Sequence, residues 1–336
     1  MPLGDEFEII KVIKKTLGKP SKNVLLGIGD DAAVLAPARG KMVVTVDSMV
    51  EGVHFDLHYT TAAELGHKAL AVSLSDCAAM GARPMYALVS LGLKQELGQH
   101  FITSLYEGMK RLAKQHKVDI VGGNIVQSPT ALIVDVTVIG ETKKKALTRG
   151  GARPGDIIAV TGDLGGSAAG LNCLRRLGRD KLGTRPEIVA RHLRPTPRIK
   201  EADALVGLGA ATSAIDISDG LSSDIHHLAE QSRVGMGVEQ AQLPISKTTI
   251  AAAELIQSSA NVWALYGGED YELLLTITPK KFKAAQAALR RLKTPLTAIG
   301  EVLPAEEGVK LKTLNGEWAD LQPRGWNHFV RRRQGP

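Results

Sequence analysis

The stretch Ala214-Ile215-Asp216-Ile217-Ser218-Asp219-Gly220-Leu221-Ser222-Ser223-Asp224 decides the fold class. Its first half alternates as a strand does and would set Asp216, Ser218 and Gly220 on one face. Glycine then breaks the run, and residues 221–232 continue at helical spacing. A strand that turns into a helix through an acidic corner is a building step of proteins that layer helices on sheets. Working outward, aliphatic and β-branched runs predict strands at 42–46, 87–91, 120–121, 131–139, 157–161, 273–277 and 297–299. Helical spacing predicts helices over 62–80, 101–116, 167–177, 248–258 and 279–292, with Gly81 and Gly178 as stops. The two kinds alternate irregularly, so the expected class is α/β of the mixed, α+β kind. A chain of 336 residues holds two domains, and the Gly/Pro-rich segment 148–156 separates 1–147 from 148–336.

Composition narrows the function classes. Hydrophobic residues are 44% and charged residues 23%, which excludes wholesale disorder. Aromatic residues are only 4% against 35 glycines, so stacking platforms for single-stranded nucleic acid are scarce. The net charge of +7 includes Arg331, Arg332 and Arg333 near the end, which leaves a mildly basic body and no expectation of a nucleic-acid partner. Cys77 and Cys173 sit in apolar helical contexts without zinc-ligand spacing, as buried thiols in a reducing compartment do. No leader-like segment and no run of 18 apolar residues stands in the sequence, so a cytoplasmic protein without a membrane partner is expected.

Several aspartates occupy places where a merely solvated charge is unexpected. Gly27-Ile28-Gly29-Asp30-Asp31 sets adjacent acids in a glycine turn within an apolar run; a cation would relieve their repulsion, and a turn or helix-cap role is the alternative. Val43-Val44-Thr45-Val46-Asp47-Ser48 ends a strand on a carboxylate, with the same alternative. Between Lys68 and Arg83, Asp76 is the only ionisable side chain besides Cys77, and a charge in such an apolar helix needs a cation or strong hydrogen bonds. Asp216 and Asp219 flank the corner quoted above, and Gly267-Gly268-Glu269-Asp270-Tyr271-Glu272 adds three acids before a strand. Oxygen donors without a Cys/His cluster favour hard cations such as Mg²⁺, and magnesium points to nucleotide phosphates. Gly122-Gly123-Asn124 and Gly162-Asp163-Leu164-Gly165-Gly166-Ser167 offer backbone amides to an anion or serve as plain turns; neither is a P-loop.

Taken in order, these segments resemble the thiamine-monophosphate kinases nearly end to end. The resemblance rests on Gly27 to Asp31, Val46-Asp47-Ser48, Gly52-Val53-His54-Phe55, His67 through Asp76 to Ala82, Ala214 to Leu221, Gly267 to Leu273 and Gly325-Trp326-Asn327-His328-Phe329. Leu147 to Asp156 and His192-Leu193-Arg194-Pro195-Thr196-Pro197-Arg198 look like that family too. The resemblance implies a two-domain aminoimidazole ribonucleotide synthetase-like fold whose N-terminal domains pair in a homodimer, with ATP and several Mg²⁺ in the cleft that the C-terminal domain completes. The implied reaction moves the γ-phosphoryl group of ATP onto thiamine monophosphate. That acceptor is already anionic, so no covalent nucleophile is expected. By motif position it implies metal ligands at Asp30, Thr45, Asp47, Asp76, Asp216 and Asp219, with Asp31 a further candidate. ATP contacts fall on Tyr106, Gly123, Asn124, Arg149 and Ser218, and substrate contacts on His54, Glu269 and Trp326. Read alone, Tyr106 is a helix core residue, Arg149 a linker charge, His54 a loop residue, Glu269 a turn acid and Trp326 a core anchor. Two positions depart from the family pattern: Asn124 stands where Asp is frequent, and Val46 where Thr is common. A non-catalytic nucleotide-binding relative, or another ATP-dependent synthetase of the superfamily, is the alternative reading.

Overall fold

The computed structural model describes residues 6–28, 32–142, 144–183 and 185–326. The expected ligands Asp30 and Asp31, and Asn327-His328-Phe329, lie outside the described residues. The chain divides into two compact units, 1–146 with 193–203, and 147–192 with 204–336.

The first unit runs α1 (Glu6–Leu17), β1 (Val24–Leu26), β2 (Val34–Leu35), β3 (Lys41–Val50), α2 (Ala62–Ala79), β4 (Arg83–Leu93), α3 (Gln99–His116), β5 (Asp119–Gln127) and β6 (Ile133–Thr142). Four strands form a sheet in the order β3-β6-β4-β5, antiparallel except for the β4/β5 pair, which α3 connects. Thr61 caps α2 through the Glu64 amide, and the Glu64 carboxylate returns to the Thr61 amide at 3.0 Å, closing a capping box. Most of α2 is buried, including Leu65, Leu70 and Leu74, which explains its apolar composition. It crosses α3 at backbone contact. A Cβ on Gly66 would stand 1.9 Å from the Leu105 carbonyl oxygen, and one on Gly108 2.0 Å from that of Ala63.

Strand alternation sorts β3 into two faces. Thr45, Asp47 and Met49 turn inward, whereas Met42, Val44 and Val46 are each about 60% exposed.

The second unit contains β7 (Ile157–Thr161), α4 (Gly166–Leu177), α5 (Pro186–Leu193), α6 (Ile199–Leu208), β8 (Ala211–Asp216), α7 (Leu221–Ser232), β9 (Gly235–Glu239), α8 (Lys247–Leu255), α9 (Ala260–Tyr266), β10 (Leu273–Ile277), α10 (Pro279–Arg291), β11 (Leu296–Leu303), β12 (Val309–Lys312) and β13 (Trp318–Asp320). The segment 193–203, assigned to the first unit, closes α5 and opens α6. Seven strands are ordered β13-β12-β9-β11-β7-β10-β8, with β12/β9 the only parallel pair among them. Ile158, Val160, Ile215, Leu274 and Ile299 join Leu221, Ile225 and Leu228 of α7 in one core.

Two expectations are corrected. The strand expected at 120–121 runs on to Gln127, so Gly122-Gly123-Asn124 lies within β5 and is not a loop. There Gly123 takes φ +157°, and a Cβ would stand 1.8 Å from the Val89 carbonyl oxygen, so close strand contact explains this glycine. β8 stops at Asp216, so strand alternation does not carry Ser218 and Gly220 onto its face.

Candidate functional site

Each unit contains an acidic cluster. In the first, β3 packs on α2 and brings Thr45 and Asp47 to Asp76. The Thr45 hydroxyl donates to the Asp76 carboxylate. The Asp47 Oδ2 atom is buried and has no hydrogen-bond partner. Burial, then the charge of Asp76, push the Asp47 carboxyl up to about 6, although the Ser73 hydroxyl partly opposes them. Burial, followed by the same two carboxylates, pushes the Cys77 thiol up to about 12, so it remains protonated at neutral pH. Two repelling carboxylates, a hydroxyl and an orphaned oxygen are what a hard divalent cation satisfies. Val46, between Thr45 and Asp47, turns its side chain to the opposite face, so this departure removes no side-chain donor from the cluster.

The other expected residues of the first unit are placed as follows. His54 follows β3 in a turn; its Nδ1 accepts from the Val50 amide at 3.0 Å, and its carbonyl receives the buried Lys68 ammonium at 3.5 Å. Asn124 is exposed on β5 and pairs in register with Ser90. Tyr106 is 3% exposed on the inner side of α3, and burial raises its phenol above the ordinary range.

In the second unit β8 delivers Asp216 to the corner, Gly220 turns it at φ +111°, and α7 begins. Asp224, in the first turn of α7, accepts from the Gly220 amide at 3.0 Å. It is 1% exposed. Burial, then the charges of Asp216 and Asp219, hold its carboxyl well above the usual carboxylate range. Ligand atoms of Asp219, Asp224 and His227 lie within 4.8 Å of one another. The sequence reading missed Asp224 and His227 as candidates, although helical spacing from the corner places Asp224 one turn into α7.

The Gly-Gly-Glu-Asp segment is stitched to this corner. The Glu269 amide donates to the Ser218 carbonyl at 2.7 Å and the Tyr271 amide to that of Ile217 at 2.9 Å. Glu269 and Tyr271 hold φ values of 64° and 51°, a conformation that costs a non-glycine residue about 1 kcal/mol or more. The three acids then part company. Asp270 accepts from the amides of Gly165 (2.6 Å) and Ser167 (3.0 Å), thereby filling the α4 start that sequence reading offered to an anionic ligand. Burial pushes its carboxyl up to about 7 against the charge of Arg191 and those two amides. Glu272 accepts from Thr161 at 2.7 Å and from Arg191 at 2.5 Å. Glu269 is 24% exposed beside His192 at 3.3 Å. Arg149 is exposed, and its carbonyl accepts from Ser232 at 3.0 Å. Trp326 is 45% exposed, while its amide donates to the Asp219 carbonyl at 2.9 Å.

Similarity to known proteins gives the family of the chain. Residues 29–142 match the AIR synthase related protein N-terminal domain, and residues 153–312 match its C-terminal domain. The thiamine-monophosphate kinase of Bacillus subtilis (strain 168) is 37% identical, with 97% of this chain and 99% of that protein covered. That of Escherichia coli (strain K12) is also 37% identical over 97% of this chain and 98% of its own. The crystal structure of thiamine-monophosphate kinase from Stenotrophomonas maltophilia K279a matches with a TM-score of 0.82 at 36% identity, covering 95% of this chain and 99% of that one. A structure described as AaThiL complexed with AMPPCP and TMP matches with a TM-score of 0.78 at 36% identity, over 96% and 97%.

Proposed function

We infer the chemistry of this chain from its family: it belongs to the thiamine-monophosphate kinases, within the AIR synthase related proteins. It phosphorylates thiamine monophosphate at the expense of ATP, giving thiamine diphosphate and ADP. The phosphate acceptor needs no deprotonation by a side chain, so the residues have to hold and align two polyanions. The observation that carries the reading to particular residues is the partnerless, buried oxygen of Asp47 beside Asp76 and Thr45.

Mg²⁺ fits that donor set, and when bound it neutralises the phosphate charge. Thr45, Asp47 and Asp76 would hold one ion. Asp216 and Asp219, joined by the buried Asp224, form the acidic donor set of the second unit. Ser218, held by its carbonyl at the same corner, remains an ATP contact in this reading, together with Tyr106, Gly123, Asn124 and Arg149. His54, Glu269 and Trp326 remain the thiamine phosphate contacts. Of the acids around Glu269, the engagement of Asp270 and Glu272 inside the protein favours Glu269 for that role.

A homodimer belongs to the same proposal, supported by the exposed apolar row Met42, Val44 and Val46 on one face of the first unit's sheet. No helix among the described residues is long and apolar enough to cross a membrane.

The test is incubation of the purified protein with ATP, Mg²⁺ and thiamine monophosphate, with Asp76→Ala as control. Formation of thiamine diphosphate that the substitution lowers by at least about 100-fold supports the reading. ATP binding without thiamine diphosphate would instead select the non-catalytic alternative.

A further inference from the structure

The segment after β13 runs along the beginning of α7 and is fastened to it at successive points. The Leu321 carbonyl meets His226 Nε2 at 2.6 Å, and the Arg324 amide donates to Ser222 Oγ at 3.3 Å. The Gly325 amide donates to Ser223 Oγ at 2.7 Å, and the Trp326 amide to the Asp219 carbonyl at 2.9 Å. Arg324 also lies over the Tyr266 ring, 5.9 Å from its centroid. Position 325 admits only glycine without movement: a Cβ there would stand 2.2 Å from Ser223 Oγ and 2.4 Å from the Asp219 carbonyl oxygen. Through these contacts an indole that is 45% exposed is held by its main chain at the acidic corner. A partly exposed aromatic ring anchored by its backbone offers a rigid apolar surface to a flat ligand group.

We propose that Ser223 is a positioning residue that fixes Trp326 against the Asp219 corner so that its indole receives the ring end of thiamine monophosphate. The inference rests on the kinase reading above and names a residue to which that reading gives no metal or substrate contact. Ser223 Oγ accepts the Gly325 amide one residue before Trp326, so its loss removes the tie adjacent to the indole and loosens its placement, while the Trp326 amide keeps its bond to the Asp219 carbonyl and the α7 backbone stays in place.

The experiment compares wild type, Ser223→Ala, Gly325→Ala, Trp326→Ala and the double variant Ser223→Ala/Trp326→Ala, with KM for thiamine monophosphate, KM for ATP, kcat and melting temperature measured for each. Ser223→Ala is expected to raise KM for thiamine monophosphate about fivefold, the effect of losing one hydrogen bond, with less than twofold change in KM for ATP. Gly325→Ala, which strains the same contact from the other side, should change the parameters in the same direction. In the Trp326→Ala background, Ser223→Ala should have no further effect on KM. An equal rise in both KM values, or a full Ser223 effect persisting without the indole, overturns the proposal. Lack of thiamine diphosphate formation by the wild-type protein would overturn the kinase reading itself, a separate outcome.

Discussion

Asp47→Asn separates what stabilises the fold from what serves the chemistry. In the metal-free protein the folded-state value of about 6 stands about two pH units above the ordinary 3.8. At 1.36 kcal/mol per unit, holding this carboxylate ionised costs about 3 kcal/mol at pH 8. Because the folded value is the raised one, the associated stability is present below the unfolded value near 4 and is lost as pH rises through about 6. An Asn side chain removes the charge but leaves an amide group facing the place of the orphaned Oδ2, at a cost of about 1–2 kcal/mol. The net expectation at pH 8 is a gain of about 1–2 kcal/mol, or, for a chain of 336 residues, a melting temperature about 1.5–3 °C higher. At pH 5 folded Asp47 already holds its proton most of the time, and the gain should shrink to nearly nothing. The assay is thermal unfolding in EDTA at both pH values. Adding Mg²⁺ should reverse the order, since only the wild type keeps the full donor set, and turnover of the variant should fall at least about 100-fold. A variant that melts below wild type in EDTA at pH 8, or one whose gain is the same at both pH values, would refute this account of the cluster.

Gly66→Ala should destabilise the protein by about 2–3 kcal/mol in urea unfolding despite alanine's better helix propensity, because its Cβ meets the Leu105 carbonyl oxygen. Arg191→Met leaves the buried Glu272 carboxylate without its guanidinium and should cost about 3–5 kcal/mol, read as a lower urea midpoint. Val46→Lys places a charge in the exposed apolar row; if the proposed homodimer forms through that row, light scattering should find dimers for the wild type and monomers for the variant. For Asn124→Asp, turnover measured against Mg²⁺ concentration should reach half-maximum at a lower concentration than wild type; identical curves would remove any role for the departure at 124.

How much was legible in the sequence depended on whether a residue's meaning was local. Strands 157–161 and 273–277 were read at their observed limits because their aliphatic runs are bounded by polar or glycine residues. β9 was missed: Gly235-Met236-Gly237-Val238-Glu239 has two glycines and one β-branched residue. A Cβ on Gly235 would stand 2.4 Å from the Pro304 carbonyl oxygen and one on Gly237 3.0 Å from the Leu303 side chain, so close packing around β9 selects for smallness over strand propensity. Asp76 was legible because its apolar surroundings lie in its own helix. The division of labour among Glu269, Asp270 and Glu272 was hidden, since it is set by Gly165, Ser167, Thr161 and Arg191, all about 80–110 residues away. Asp270 in particular occupies a helix start that sequence alone offered equally to an external phosphate.

The crossing of α2 and α3 at Gly66 and Gly108 has a consequence for ion choice. Helices in contact through their main chains cannot slide or rotate past one another without collision, so α2, which bears Asp76 and packs on β3, is held fixed against α3. A stiff pair of oxygen posts discriminates by ionic radius. At the proposed metal site, magnesium, with its short bonds and strict octahedron, would suit such a frame better than calcium, which needs more oxygens at looser spacing.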